Sequence, residues 1–416
     1  MGKNFDIPSF YKSDLIATVK QARIISDQNK RDLSPSIIEL DKLCFKIARH
    51  FGFCYGVENA IEITYRAISE NPNRRIYLLS EMIHNPHVNA DLKSRGVEFL
   101  MKTSGEKLID FDTLRPDDVV VIPAFGTTLE IFDKLNSIGI DPYLYNATCP
   151  FVEKVWKRSA GLGARNFTVI IHGKQKHEET RATFSHASKT APSIIIRDIQ
   201  EARLLARYIA REIPFDHFDR DFAGRYSQGF EPRRDLNRIG VVNQTTMLAT
   251  ETQIISDILH AAINKFFGES SDENNFANTR DTLCYATSEN QDAVNQLIKS
   301  GGDLAIIVGG YNSSNTSHLA ELCEKFLPAY YIKDSDEIID EHTIRHLSLM
   351  SRAVITSQDW LPIAKPKINI LISAGASCPD AHVDLVIKKI CSLFQQENRL
   401  EKALEPYRKI LLNTKK

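Results

Sequence analysis

The most constraining feature of this 416-residue chain is a local pattern that keeps returning. A short apolar run ends abruptly in a polar or glycine-containing loop, and a helical pattern follows. Val119-Val-Val-Ile122 is the plainest case, leading into Pro123-Ala-Phe-Gly-Thr-Thr128. A strand with one wet face alternates apolar and polar residues. An uninterrupted run suits a parallel strand covered on both faces. The same reasoning predicts strands over 46–51, 75–79, 117–123, 141–146, 167–171, 238–242, 303–308 and 368–372. Strands alternating with helices build parallel α/β units. Ligands of such sheets sit beyond the carboxyl ends of the strands, so the loops after these runs are where function is expected.

The pattern passes through three cycles, each opening with a cysteine at a helix start: Cys54, Cys149 and Cys284. This predicts an N-terminal extension (1–43, helical or irregular) and α/β domains over 44–140, 141–278 and 279–380. A C-terminal helix and tail (381–416) would follow. Pro214–Arg234, rich in Phe, Asp, Arg and Gly, breaks the pattern and reads as an insertion in the second domain.

Composition narrows the class. A formal net charge of -1 gives no reason to expect a nucleic-acid or membrane surface as the main partner. No apolar run is long enough to cross a bilayer, and the first 42 residues lack a signal-peptide core, so a cytoplasmic protein is expected. Seven widely scattered cysteines do not form a disulfide framework. Cys323 and Cys391 fall on apolar helix faces, and Cys44 precedes the first strand; all three read as packing residues.

Cys54, Cys149 and Cys284 have none of the C-x₂-C spacing of local metal motifs. They are either unrelated core thiols or ligands brought together by three converging domains. In the second case three thiolates would hold a [4Fe–4S] cluster with one iron free of protein ligand. Ser313, Ser314, Asn315, Ser377, Thr245 and Thr246 stand at predicted helix starts, where side chains and free N–H groups make anion sites. Taken singly, each is equally an ordinary helix cap. Neither G-x-x-x-x-G-K-[ST] nor G-x-G-x-x-G occurs, so a compact diphosphate suits the loops better than a nucleotide. His84 and His177 follow strands in equivalent loops, and Glu178 and Glu179 follow His177 as candidate proton carriers.

The loops, taken in order, are GFCYGVE (52–58), EMIHNPHVN (81–89), IPAFGTT (122–128), ATCPFVEKVW (147–156), IHGKQKHEET (171–180), VVNQTTML (241–248), YATSENQDA (285–293), VGGYNSSNTSHL (308–319) and SAGASCPD (373–380). This series resembles the IspH (LytB) family of 4-hydroxy-3-methylbut-2-enyl diphosphate reductases, in the form of cyanobacteria and plant plastids. The resemblance covers about 51–380. It implies a trefoil of three pseudo-symmetric α/β domains with parallel sheets around a central [4Fe–4S] cluster held by Cys54, Cys149 and Cys284. It implies a diphosphate held by His84, His177, Ser313, Ser314, Asn315 and Ser377. Thr245 would meet the substrate hydroxyl with Thr246 beside it, and Glu179 would deliver protons. Reduced ferredoxin or flavodoxin would supply electrons for a two-electron reductive dehydroxylation.

One departure stands out. The better-known bacterial form has His where this chain has Phe125, which leaves a diphosphate contact to be supplied elsewhere, by Thr127 or Lys174. Cys378 beside Ser377 is not expected to be a cluster ligand. Quinolinate synthase and diphthamide-type enzymes also gather three cysteines from three domains, but their loops differ. A non-catalytic iron–sulfur sensor would need neither the Glu nor the anion cradle.

Overall fold

The structure is a computed structural model that describes residues 5–268, 272–277 and 282–413. Its strands, in chain order, are β1 (Ser36–Glu39), β2 (Leu43–Ile47), β3 (Ile76–Leu78), β4 (Glu98–Phe99), β5 (Val119–Val121), β6 (Thr168–His172), β7 (Ser193–Ile196), β8 (Ile239–Asn243), β9 (Phe276–Ala277), β10 (Leu304–Val308), β11 (Ala329–Ile332), β12 (Thr343–Ser348), β13 (Ala353–Gln358) and β14 (Ile368–Ala374). Among the described residues they form three mainly parallel sheets and one antiparallel hairpin, β12–β13. The expected α/β class with parallel sheets is what the chain adopts.

The chain gathers into two compact units. One comprises the residues up to Glu58, His84–His87 and those from Tyr285 onward. The other comprises Asn59–Ile83 and Val88–Cys284.

The first unit is built on a sheet of order β1-β2-β14-β10-β11. β14 pairs in parallel with both β2 and β10. The strand leading to Cys54 therefore lies in the sheet of the last third of the chain, not in a sheet with β3 and β5. Its ladder runs from Leu43↔Ile368 to Ile47↔Ile372, earlier than the expected 46–51, because its partner strand starts there. The N-terminal residues are part of this core. Ser13 caps the Asp14–Ser26 helix by accepting the Ile16 N–H, and Leu15, Ile16 and Val19 pack with Ile38, Ile370 and Ile372. At the other end of the chain, Tyr407 in the Glu405–Asn413 helix bonds the Ile37 backbone through its hydroxyl.

The second unit holds the sheets β4-β3-β5 and β7-β6-β8-β9. The expected strand over 141–146 is absent. Pro142 has no N–H to give a ladder, and Asp141 Oδ1 accepts the Tyr143 N–H at 2.8 Å in a local turn. Only a single Ile122↔Asn146 bridge remains. The expected domain boundary at 278/279 lies outside the described residues.

Pro214–Arg234 is not loosely attached. Phe218 and Phe222 are buried with Tyr208, Ile194 and Leu236, and Phe215, Tyr226 and Phe230 pack around them. The Arg225 carbonyl accepts the Ile195 N–H and Ser227 N–H donates to Ser193, so the segment covers the edge of β7. Phe218→Ala is expected to destabilise the fold by about 3–5 kcal/mol, the usual cost of emptying a buried aromatic site. Thermal unfolding followed by circular dichroism would measure it. A melting temperature equal to that of the parent would show the segment to be a dispensable insertion.

Candidate active site

In the first unit, β10 and β14 lie side by side in parallel, with Val308 opposite Ala374. The loops that follow them therefore leave the same sheet edge together. Ser313 caps the Ser314–Glu324 helix, its Oγ accepting the Thr316 N–H at 3.3 Å and the Thr316 hydroxyl at 2.9 Å. Two residues further on, Asn315 Oδ1 accepts the Ala376 N–H at 2.9 Å. Asn315 Nδ2 is buried with no hydrogen-bond partner among the described residues. Such a donor is costly to bury unless something accepts from it.

Ser377 closes the cradle. Its hydroxyl donates to the His84 carbonyl at 3.1 Å, and Asn85 Nδ2 donates to the Ser377 carbonyl at 2.9 Å. Gly310 packs against the same carbonyl; a Cβ there would stand 2.3 Å from His84 O. His84, Ser313, Ser314, Asn315 and Ser377 are each buried.

Cys54 is joined to this cradle through one residue, Ala376. Its N–H donates to the Ala376 carbonyl at 3.3 Å, while Ala376 N–H is held by Asn315. Gly52 makes the approach possible. Its φ is +80°, and a Cβ would stand 2.7 Å from Asp380 Oδ1. Desolvation pushes the Cys54 thiol up, and the N–H groups of Val57 and Gly56 oppose this by donating to it. Sequence reading missed Asn85 and the His87–Asp334 contact, Nε2 to Oδ2 at 2.8 Å, which pins the far end of the His84 stretch. The second histidine of EMIHNPHVN was the available signal.

In the second unit, β6 and β8 pair in parallel to His172↔Asn243, so their loops also emerge together. His177 caps the Glu178–Ser188 helix, its Nδ1 accepting the Glu179 N–H at 3.2 Å. In the neutral ring that leaves the proton on Nε2. Glu179 is only 1% exposed. Its Oε1 accepts the Thr245 N–H at 2.5 Å and its Oε2 accepts the Thr245 hydroxyl at 3.0 Å. Thr246 turns instead to Gln244, whose Nε2 donates to Thr246 Oγ1 at 2.7 Å. Gln244 Oε1 also accepts from Lys174 N–H and the Thr180 hydroxyl, so it stitches the two loops. Sequence reading passed over Gln244, a buried amide inside VVNQTTML.

Phe125 meets the His177 ring edge to face, 5.7 Å between centres at 86°. Cys149 stands at the N-cap position of the Pro150–Gly163 helix, and its N–H donates to the Ala124 carbonyl at 2.9 Å. Its loop is thus tied to the Phe125 loop. Cys284 is buried one residue before the Tyr285–Lys299 helix. The Thr282 hydroxyl just before it donates to Asn243 at the end of β8.

The three thiols suit an iron–sulfur cluster. Each immediately precedes a helix, where the helix dipole favours thiolate. Among the described residues, no three His, Cys, Asp or Glu side chains gather to hold a metal ion. The ligands of a four-iron cluster each serve a different iron, so the fit rests on the character of the thiols.

The family model described as LytB protein matches residues 45–391. The chain belongs to the LytB protein family. The matched span contains every candidate site residue named above. Among its relatives is the 4-hydroxy-3-methylbut-2-enyl diphosphate reductase of Picosynechococcus sp. (strain ATCC 27264 / PCC 7002 / PR-6), 39% identical over 83% of both chains. The enzyme of the same name from Thermosynechococcus vestitus is 40% identical over 84% of both.

Two solved structures share the fold of this LytB-family chain. A (E)-4-hydroxy-3-methyl-but-2-enyl diphosphate reductase, described as the terminal enzyme of the non-mevalonate pathway, is 24% identical. It aligns over 83% of this chain and 98% of its own, with a TM-score of 0.51. The E-1-hydroxy-2-methyl-but-2-enyl-4-diphosphate reductase from Plasmodium falciparum is 19% identical over 85% and 89%, with a TM-score of 0.60.

Gly310→Ala should drive the His84 carbonyl away and open the cradle. Calorimetric titration with inorganic diphosphate is expected to show binding weakened at least about tenfold, the cost of roughly one hydrogen bond. The circular dichroism spectrum should be unchanged. Undiminished binding would mean that His84 and Ser377 do not form the anion site.

Proposed function

We propose that this chain is a 4-hydroxy-3-methylbut-2-enyl diphosphate reductase. It removes the C4 hydroxyl of its substrate, consumes two electrons and two protons, and gives isopentenyl and dimethylallyl diphosphates plus water. This is the last step of the methylerythritol phosphate route to isoprenoids. The observation that carries the reading is the buried Glu179 carboxylate, with both oxygens engaged by Thr245, in a member of the LytB family. A carboxyl kept from water and joined to a hydroxyl is the arrangement by which a proton reaches an alcohol that must leave as water.

We infer the trefoil arrangement, in which Cys54, Cys149 and Cys284 face one centre and hold a [4Fe–4S] cluster. When bound, that cluster supplies electrons and a Lewis-acidic iron for the substrate oxygen. The chain's own groups do the remainder. The N–H groups at the start of the Ser314–Glu324 helix, with Ser313 and Ser377, receive the diphosphate. Asn315 Nδ2 gains an acceptor on binding. The His177 Nε2–H adds a donor, and His84 borders the cradle. Phe125 offers none, and we assign the replacement contact to the Lys174 loop, whose N–H Gln244 holds.

Thr245 orients the substrate hydroxyl and, once Glu179 takes up a proton, relays it by donating its own hydroxyl proton onward and accepting that of Glu179, with Thr246 and Gln244 fixing the turn. Reduced ferredoxin or flavodoxin is the electron donor. The protein works in the cytoplasm; among the described residues no helix is long and apolar enough to cross a membrane.

Two measurements test this reading under anaerobic conditions with reduced methyl viologen as donor. Glu179→Gln is expected to bind the substrate as the parent does and to turn it over about 10²–10⁴-fold more slowly, the usual contribution of a positioned acid. Glu178→Gln should stay within about tenfold of the parent; an equal loss there would move the proton role to Glu178. Cys149→Ser should lose bound iron and visible absorbance, and full iron content in that protein would refute the three-cysteine assignment.

A further inference from the structure

A groove of about 880 Å³ runs in the second unit beside the site, along the outer face of the Glu178–Ser188 helix. The start of the Leu129–Ile138 helix, Ile195 of β7 and the covering segment around Gly224 form its other walls. A second hollow of about 280 Å³ adjoins it, sharing Gln175, Lys176 and Ile195. The mechanism above uses only Lys174 of the second and none of the first.

Their charge is one-sided. Lys176, Arg181 and Lys189 line the first, and Arg197 and Arg225 the second. The opposing acids are Glu130, which accepts from the Ser185 hydroxyl, and Glu201 and Asp198, which take up Arg225 at 2.6 Å and Arg197 at 2.9 Å, so the unmatched cations are those of the first hollow. Lys176 and Lys189 are exposed and form no ion pair among the described residues. A chain of formal net charge -1 thus concentrates cations on one surface. Such a patch attracts an acidic partner and steers its approach.

A packed route leads inward from this surface. His186, on the groove helix, stacks on Trp156 with ring centres 3.7 Å apart at 9°. Its Nε2 donates to the Thr127 carbonyl at 3.2 Å, next to the groove-lining Thr128. The Trp156 ring presses on Gly126 so closely that a Cβ there would stand 2.5 Å away, with Thr148 against the same glycine. Thr148 immediately precedes Cys149.

We propose that the basic groove is the docking surface for an acidic one-electron carrier of the ferredoxin type, which delivers electrons toward Cys149 along the His186–Trp156 stack. This rests on the reductase reading. The reaction breaks one C–O bond, forms one C–H bond and releases water, taking up two electrons and two protons. The chain lacks the G-x-G-x-x-G dinucleotide motif that would let it collect an electron pair as hydride. Each turnover therefore draws one electron from each of two carrier molecules, which leave oxidised. Brief encounters of this kind use small, charged contact areas, and the groove offers one.

The test compares the parent with Lys176→Glu/Lys189→Glu, two residues outside the catalytic and diphosphate-binding groups. Reduced methyl viologen and a reduced plant-type [2Fe–2S] ferredoxin serve as alternative donors. At low ionic strength the KM for ferredoxin is expected to rise about tenfold or more in the double variant, because docking-rim charges set the association rate. The parent's ferredoxin-driven rate should fall with added salt, and the variant's should respond little. Viologen-driven turnover should agree within about twofold, since a small dye needs no docking surface. Unchanged ferredoxin KM and salt dependence alongside normal viologen turnover would overturn the groove and leave the reductase reading standing. Absent viologen turnover in the parent would sink the reductase reading instead. Ferredoxin affinity measured directly on both proteins would still decide the groove, and equal Kd values would overturn it.

Discussion

Parallel pairing is the constraint on which the rest of this structure depends. When β6 and β8 run in the same direction, their ends coincide and the loops beyond them must share one edge. The helix start carrying Glu179 and the turn carrying Thr245 are thereby adjacent although far apart in the chain. β10 and β14 do the same for Asn315 and Ala376. Neither contact could form from strands of opposite sense, whose following loops leave at opposite edges.

Pairing brings the loops close, and close approach then restricts which residues they can contain. Gly310 sits where a Cβ would strike the His84 carbonyl, and Gly173 where one would meet Thr180 Oγ1 at 2.6 Å. Both glycines lie in the first residues after their strands. Polar groups fill the space between. A Glu only 1% exposed would be expensive as an isolated carboxylate, and two hydrogen bonds from Thr245 reduce that cost. Asn315 Nδ2 keeps a donor unsatisfied in the same kind of place, so this cradle favours an acceptor that arrives from outside.

Where a strand was covered on both faces, its sequence had to be apolar throughout, and β5, β6, β8, β10 and β14 were legible for that reason. The helix-starting loops were legible because capping chemistry is local. Signals were weaker at edges. β7 and β11 lie at sheet margins and carry Ser193 and Tyr330, so their runs are short or mixed. β13 is exposed at nearly every position and has almost no apolar pattern to read. The run at 141–146 misled because Pro142 and the Asp141 turn override its composition. The pairing of β2 with β14 was beyond local reading, since register between strands more than 300 residues apart leaves no trace in either run.

Glu178 and Glu179 show what geometry adds to such a reading. As neighbours at a helix start they share residue type and local dipole, one and two positions after His177, and composition gives no physical ground to separate them. Successive helical residues point about 100° apart. That rotation carries Glu179 to the β8 loop, where Thr245 receives both oxygens. Glu178 is also buried, on a different side of the helix, and its charge favours the protonated form of Arg181, one turn on. Arg181 in turn holds the Thr103 and Ser104 carbonyls and lines the basic groove. One carboxylate therefore faces a hydroxyl that can relay a proton, and the other is turned about 100° away from it. Exchanging their roles would require rotating the helix by the same 100°, which the His177 cap on Glu179 N–H opposes.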